Sequence, residues 1–225
     1  PLVDMMQAHA VSFDKTTLPF TISGRMTAGQ FSLPGNVSSQ FISGLMFALP
    51  ILDSGSVIHV TTPLESAAYV DMTLEVLDRF GVFATIREDG FLLPGSQRYR
   101  TPGRVEVEGD WSGAAFFLVA GALGGGITLE GLAADSLQGD RAIVDILRQF
   151  GANININGAS VPAGGGALHG RTVDVSGIPA LVPLLAVLPP SSPGIPRPGN
   201  AARLPLQHSD LLPCIAPIPR PFCLP

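Results

Sequence analysis

The sequence predicts an α/β protein built from repeated units that form two lobes. Two stretches share one pattern, "VDMTLEVLDRFGVFATI" from residue 70 and "RAIVDILRQFGANINI" from residue 141. In each, apolar residues recur at helical spacing, a Phe-Gly pair stands where the helix would end, and a β-rich segment follows. Another apolar helix and a short strand precede each stretch. Because such helices bury one face against a sheet, the repeat indicates the α/β class.

The same reasoning predicts the elements in chain order. Segment 1–13 fits the unit as a truncated copy, with His9 and Ala10 where the later copies have Phe and Gly. The elements expected after it are a helix over 38–49, a strand over 57–61, an amphipathic helix ending before Gly81, a helix over 112–123, a strand over 127–129 and an amphipathic helix ending before Gly151. Glycine at these two ends favours the left-handed conformation that terminates many helices.

The chain is predicted to divide near residue 108. Turn signals mix with strand-like alternation before that point, and "VEGDWSG" then opens the next unit. The final segment, 189–225, holds 11 of the 21 prolines. Because proline costs about 3 kcal/mol inside a helix, we expect this tail to be irregular.

Composition limits the classes of partner. The net charge of -5 and the pI of about 5.2 argue against binding to nucleic acid or to an anionic membrane. No apolar run reaches the roughly 18 residues of a membrane span. Cys214 and Cys223 lack metal-ligand spacing, so we expect a reduced, cytoplasmic protein, although a disulfide between them stays open. Pro1 is not a natural start, so we expect a piece of a longer chain.

The segment "LPGNVSSQFISGL" places polar groups at the start of the first apolar helix. Gly35 allows the chain to turn, and Ser38, Ser39 and Gln40 follow it. A helix N-terminus has free backbone N–H groups and the positive end of the helix dipole, which together attract anions. Two interpretations remain open: a seat for a phosphate group, or a plain helix cap formed by Asn36 or Ser38.

Five motifs occur in the order in which one enzyme family has them: "LPGNVSSQFISGL", "TTPLESAAYVDMT", "VEGDWSGAAFFLVAGAL", "DSLQGDRAIVDIL" and "NAARL". Together they resemble the EPSP synthases, or 3-phosphoshikimate 1-carboxyvinyltransferases, from residue 1 to about 188 and more weakly to about 210. The resemblance implies two lobes that are made of βαβαββ units and close over the substrates. Both lobes are expected to be incomplete in this chain. It implies transfer of the enolpyruvyl group of phosphoenolpyruvate to the 5-hydroxyl of shikimate 3-phosphate in aromatic amino-acid biosynthesis, without a cofactor and by a monomer.

The resemblance also implies where each part of the chain belongs. Residues 1–107 resemble the last part of the lobe that holds shikimate 3-phosphate, and 108–188 resemble the beginning of the other lobe. "VEGD" would then be a hinge crossing between the lobes.

Five residues match substrate-binding positions of the family. Ser38 and Ser39 match serines that bind the 3-phosphate, and Gln40 matches a glutamine that reaches both substrates. Ser66 matches another phosphate-binding serine, and Tyr69 matches a tyrosine that lines the shikimate pocket. Without the family, Ser66 would be a plain N-cap and Tyr69 a core residue at a helix start.

Two other short motifs are expected to have structural roles. Asp110, Trp111 and Ser112 form a pattern typical of a helix cap after the crossing. Asp140 and Arg141, at the start of an amphipathic helix, are assigned a structural role and no catalytic one.

The chain departs from the family where proton transfer is expected. Ala180 stands in "SGIPALV" where the family has aspartate, and alanine cannot transfer a proton, so no catalytic residue is assigned. His208 has an unperturbed pKa suited to a general base, but it lies in the proline-rich tail. Four family residues, an arginine, a lysine, a glutamate and an arginine, are replaced by Pro205, Gln207, His208 and Leu211.

These departures predict that the chain alone is inactive and leave two alternatives to the enzyme. One is a catalytically dead fragment that binds a phosphorylated ligand. The other is a relative of the UDP-N-acetylglucosamine enolpyruvyl transferases, whose reactive cysteine would fall within residues 1–39, where this chain has none.

Overall fold

The first half of the chain folds around a four-stranded sheet. The computed structural model describes residues 1–171, 173–175 and 177–188 and the backbone of 198–199. The chain divides into two units, Pro1–Val105 and Glu106–Pro225. Apart from 198–199, the predicted irregular tail lies outside the described residues, and so do both cysteines and the four replaced positions at 205–211.

The first unit, which lies wholly within the described residues, contains three α-helices and six strands. They are α1 (Leu2–Ala8), β1 (Val11–Phe13), β2 (Ile22–Gly24), β3 (Gln30–Leu33), α2 (Ser39–Ala48), β4 (Ser56–Val60), α3 (Ala67–Arg79), β5 (Thr85–Arg87) and β6 (Gly90–Leu93). The main sheet has the order β3-β4-β6-β5, and β1 pairs with β2 separately. Strands β3 and β4 are parallel, whereas β6 runs antiparallel to both of its neighbours.

Helices α2 and α3 pack their apolar faces onto this sheet. Pro50 lies in a 3-10 turn, Leu49–Ile51, that follows α2, as expected because proline does not continue an α-helix. The core joins the inner face of the sheet to both helices and comprises Phe31, Leu33, Ile42, Leu45, Met46, Leu49, Ile58, Val70, Leu77, Phe91 and Leu93, among others. Burial of these side chains is the main force that holds the unit together.

Among its described residues, the second unit has a smaller sheet, of three strands, and its longest helix, α4 (Trp111–Ala120), is strongly apolar. Its elements are α4 (Trp111–Ala120), β7 (Ile127–Glu130), α5 (Ile143–Gln149), β8 (Asn153–Ile154), β9 (Ser160–Gly164), β10 (Val173–Asp174), α6 (Val182–Ala186) and β11 (Pro198–Gly199). Strands β7, β9 and β8 form an antiparallel sheet, and β10 pairs in parallel with β11. Its core includes Trp111, Leu118, Ile143, Leu147, Phe150, Val161 and Leu181.

One helix is shorter than the sequence predicts. The α-helix expected over 112–123 ends at Ala120 and continues as a π-helical turn, Gly121–Gly125. Gly124 within that turn has φ of 126°, which an L residue rarely adopts. Several glycines together lower the helix propensity by about 1 kcal/mol each, so the α-helix is lost where they begin.

The predicted helix ends are confirmed by the backbone. Gly81 has φ of 71° and Gly151 has φ of 97°, so both residues take the left-handed conformation directly after their helices. Ala10 stands at the matching point after α1 and has φ of 65°, although it carries a side chain. Segment 1–13 therefore repeats the helix–turn–strand geometry of the later copies, at the cost of strain at Ala10. Within the described ranges, no helix has the length and apolar character needed to cross a membrane.

Candidate anion-binding site

Two helices of the first unit begin at the same edge of the main sheet. Strands β3 and β4 are parallel neighbours, and Leu33 is in register with Val60 at their carboxyl ends. The chain leaves both strands at this edge and, after a short loop, enters α2 or α3. The N-termini of both helices, where the first N–H groups have no carbonyl partner one turn earlier in the helix, are therefore brought to one side of the sheet.

The two loops that lead into these helices are tied together. The hydroxyl of Thr62 donates to Asn36 Oδ1 over 3.0 Å, and it accepts the backbone N–H of Asn36 over 3.2 Å. The backbone N–H of Glu65 donates to the carbonyl of Gly35 over 3.1 Å. A Cβ on Gly35 would lie 2.7 Å from the carbonyl oxygen of Thr62, so only glycine permits this approach. Gly35 thus allows the two loops to pack closely, in addition to allowing the chain to turn.

Among the described residues, no side chain caps the start of α2. Ser38 occupies the N-cap position with an extended backbone, and its side chain makes no cap hydrogen bond. The side-chain oxygen of Asn36 is engaged by Thr62 instead. The interpretation of this motif as a plain cap by Asn36 or Ser38 is therefore wrong. Ser39 is only 5% exposed in the first turn, whereas Gln40 beside it is exposed.

Ser66 at the start of α3 has a strained backbone and a buried side chain. Its backbone lies in the left-handed region at φ 54° and ψ 42°, and its side chain does not cap the helix. The residue is 6% exposed, and within the described part of the chain its hydroxyl has no hydrogen-bond partner. A left-handed serine costs about 1–3 kcal/mol, and an unsatisfied buried hydroxyl costs a similar amount. The expectation of a plain N-cap is wrong here, and such a combination is typical of a binding site.

Tyr69 lies in the first turn of α3 and is not a core residue. It is 38% exposed, which corrects the assignment to the core that the residue type alone suggests. Its carbonyl accepts the hydroxyl proton of Thr73 over 2.8 Å. Because Thr73 has one hydroxyl proton, Ser43 on α2 donates to Thr73 Oγ1, 2.8 Å away. This chain of bonds joins the two helices one to two turns below their N-termini.

Helix α4 of the second unit shows what a capped N-terminus looks like in this protein. The carboxylate of Asp110 accepts the N–H groups of Ser112 and Gly113, each over 3.0 Å. The side-chain oxygen of Gln138 accepts the N–H of Trp111 over 2.8 Å. The predicted cap is confirmed, and with its donors occupied and a carboxylate in place this helix start does not favour an anion.

Asp140, a buried carboxylate next to this cap, makes a contact that is structural. Asp140 lies in the 3-10 turn Gly139–Ala142, which leads into α5. It is 1% exposed and accepts a hydrogen bond from the hydroxyl of Ser112, so it ties this turn to the start of α4. Ala180 lies half-buried in a 3-10 turn, Pro179–Leu181, before α6. His208 lies outside the described residues.

A hollow that the sequence did not predict opens beside the tied loops. Its volume is about 400 Å³, and it is lined by 60–64 and 86–91. None of the five predicted site residues lines it. Asp89, one of the lining residues, has its Oδ2 2.8 Å from His59 Nδ1, and this hydrogen bond holds the pKa of Asp89 below its usual range. Among the described residues, no cluster of three potential metal ligands occurs.

The fold is that of the enolpyruvyl transferases. An EPSP synthase structure from Acinetobacter baumannii superposes with a TM-score of 0.67 at 22% identity, covering 96% of this chain and 51% of that one. An enolpyruvyl transferase from Streptomyces tendae superposes with a TM-score of 0.62 at 15% identity, covering 84% and 49%. The predicted α/β, enolpyruvyl transferase-like fold is confirmed.

Sequence similarity then places the chain within that class. The model of the EPSP synthase (3-phosphoshikimate 1-carboxyvinyltransferase) family matches residues 2–216, so the chain belongs to this family. The 3-phosphoshikimate 1-carboxyvinyltransferase of Clostridium acetobutylicum is 46% identical over 200 residues, and that of Methanocorpusculum labreanum is 39% identical over 212 residues. These matches cover 88% and 93% of this chain but 46% and 50% of the relatives, so the chain spans about half their length.

Proposed function

We propose that this chain is part of an enzyme that makes 5-enolpyruvylshikimate 3-phosphate and phosphate from phosphoenolpyruvate and shikimate 3-phosphate. Membership of the family supports the reaction, and the pairing of two uncapped helix N-termini supports the acceptor. In this proposal, residues 1–107 bind shikimate 3-phosphate and residues 108–188 begin the second lobe.

The observation that carries the proposal is the hydroxyl of Ser66. It is buried at a helix start and has no partner among the described residues, so a ligand oxygen would complete its hydrogen bonding. A phosphate dianion would accept hydrogen bonds from this hydroxyl, from the hydroxyls of Ser38 and Ser39, and from backbone N–H groups of both helices. Each charge-assisted hydrogen bond of this kind contributes about 1.5–3 kcal/mol. Gln40 then reaches both substrates, and Tyr69 lies along the shikimate ring.

We propose further that this chain binds without turning over. Addition of the 5-hydroxyl to phosphoenolpyruvate and loss of phosphate both require proton transfer by positioned acids and bases. Ala180 has no titratable group at the position where the resemblance to the family predicts aspartate. Without a proton donor or acceptor at this position, the chain binds shikimate 3-phosphate and does not transfer the enolpyruvyl group.

Calorimetric titration of the purified chain with shikimate 3-phosphate tests both parts. We expect binding of shikimate 3-phosphate, much weaker binding of unphosphorylated shikimate, and no release of phosphate when phosphoenolpyruvate is added. A folded chain that does not bind shikimate 3-phosphate contradicts the site, whereas phosphate release contradicts the proposed inactivity. UDP-N-acetylglucosamine serves as the comparison ligand, and preferential binding of it would favour the related transferase.

A further inference from the structure

We infer that Thr62 is a positioning residue that holds the starts of α2 and α3 at the spacing a phosphate group requires. Its side chain and Asn36 form a reciprocal pair, called here the Asn36–Thr62 clasp. The inference rests on the proposed function, because it concerns the geometry of the same site.

The clasp uses one hydroxyl group both as a donor and as an acceptor. Thr62 has one hydroxyl proton, which it donates to Asn36 Oδ1 over 3.0 Å. The same oxygen accepts the backbone N–H of Asn36 over 3.2 Å. A hydroxyl both donates and accepts, so serine can replace threonine in the clasp, whereas the isosteric valine can do neither.

The clasp lies between the strands and the two helix starts. Asn36 is followed by Val37 and then by Ser38, the N-cap of α2. Thr62 precedes Ser66, the N-cap of α3, in the loop after β4. A change in the distance between the loops is therefore passed directly to the groups that would hold the phosphate.

The neighbouring contacts leave the loops little room to adjust independently. The carbonyl of Gly35 accepts the N–H of Glu65, and the Cα of Leu64 lies 2.9 Å from where a Cβ on Gly35 would be. Below the helix starts, Ser43 and Thr73 join α2 to α3. The clasp is thus one of several polar links between the segments that carry the two helix starts.

The solvent exposure of the clasp indicates that it positions the loops more than it stabilises the fold. Asn36 is exposed and Thr62 is half-buried, so their hydrogen bonds compete with water and add little to the stability of the fold. A small anion, in contrast, needs several donors within about 0.5 Å of the correct position. We therefore expect loss of the clasp to weaken ligand binding more than it lowers the melting temperature.

The test compares the affinity for shikimate 3-phosphate of Thr62→Val, Thr62→Ser and a matched control, Thr101→Val. The hydroxyl of Thr101 also accepts a backbone N–H, from Gly103 over 3.1 Å, in an exposed loop outside the site. We expect Thr62→Val to bind about 5- to 10-fold more weakly, Thr62→Ser to bind as the wild type does, and Thr101→Val to be unaffected. The melting temperatures of the two valine variants should be similar.

A second measurement asks whether Thr62 acts through the phosphate-binding serines. In a Ser39→Ala background, Thr62→Val should cost less affinity than it does in the wild type, because part of the positioned contact is already absent. Fully additive losses would overturn the inference.

Other outcomes also decide the matter. Wild-type affinity in Thr62→Val, or equal weakening by serine and valine, overturns the role of the clasp while leaving the proposed function in place. A much lower melting temperature for Thr62→Val than for Thr101→Val shows a stabilising role and overturns positioning. A wild-type chain that does not bind shikimate 3-phosphate overturns the proposed function and this inference together.

Discussion

Replacing Ser66 with alanine is expected to stabilise the unliganded protein and to weaken its binding of shikimate 3-phosphate. The hydroxyl is buried and unpaired within the described residues, so its removal relieves a desolvation cost. Alanine also carries a Cβ, so the left-handed strain at this position is unchanged. We expect the free energy of unfolding to rise by about 1 kcal/mol, the lower end of the cost of an unsatisfied buried group.

The loss in binding follows from the same hydroxyl. A charge-assisted hydrogen bond contributes about 1.5–3 kcal/mol, and a tenfold change in affinity corresponds to about 1.4 kcal/mol. The dissociation constant of shikimate 3-phosphate should therefore increase about 10- to 150-fold. A variant that is more stable but binds the ligand more weakly indicates that the hydroxyl serves the ligand. Removing a hydroxyl with a structural role would instead lower both the stability and the affinity.

Urea unfolding and calorimetric titration measure the two effects. Ser54→Ala is the matched control, because Ser54 is exposed and precedes β4 at the opposite end of that strand from the site. Its stability should change by less than about 0.5 kcal/mol and its affinity should not change. A Ser66→Ala variant that loses stability, or that binds shikimate 3-phosphate as the wild type does, would refute the reasoning.

Three further predictions follow from single residues. Ser39→Ala should weaken binding of shikimate 3-phosphate by about 1–3 kcal/mol in calorimetry, and unchanged affinity in a folded variant would count against the phosphate seat. Ala10→Gly should raise the free energy of urea unfolding by about 1 kcal/mol, because glycine takes the left-handed conformation without strain; a decrease would contradict this. Burial raises the pKa of Tyr99, whose hydroxyl donates to the carbonyl of Phe47 over 2.7 Å. Its contribution to stability is present below its unfolded pKa of about 10 and is lost as the pH rises through the folded value. Tyr99→Phe should therefore remove this loss of stability at alkaline pH. In an absorbance titration it should also remove the tyrosine ionisation with the higher pKa, and an unchanged titration would contradict the raised pKa of Tyr99.

Much of the fold could be predicted because its signals are local. The helix ends at Gly81 and Gly151 depend on a residue and its neighbours within one turn, so the Phe-Gly pairs were sufficient. The cap at Asp110 is local as well, since its carboxylate bonds residues two and three positions on. The early end of α4 was missed because the apolar pattern continues through the glycines that end the α-helix.

The sequence by itself determined the α/β class, the repeat and the family, because these depend on periodicity and on the order of motifs along the chain. Only the tertiary structure decided what the polar side chains at the site do. Asn36 was expected to act within its own turn, but its partner is Thr62, 26 residues away. That pairing exists because β3 and β4 are parallel neighbours, and the same arrangement brings the N-termini of α2 and α3 to one edge. Likewise, the burial of the Ser66 hydroxyl depends on which segments pack around it, and that is a property of the folded chain.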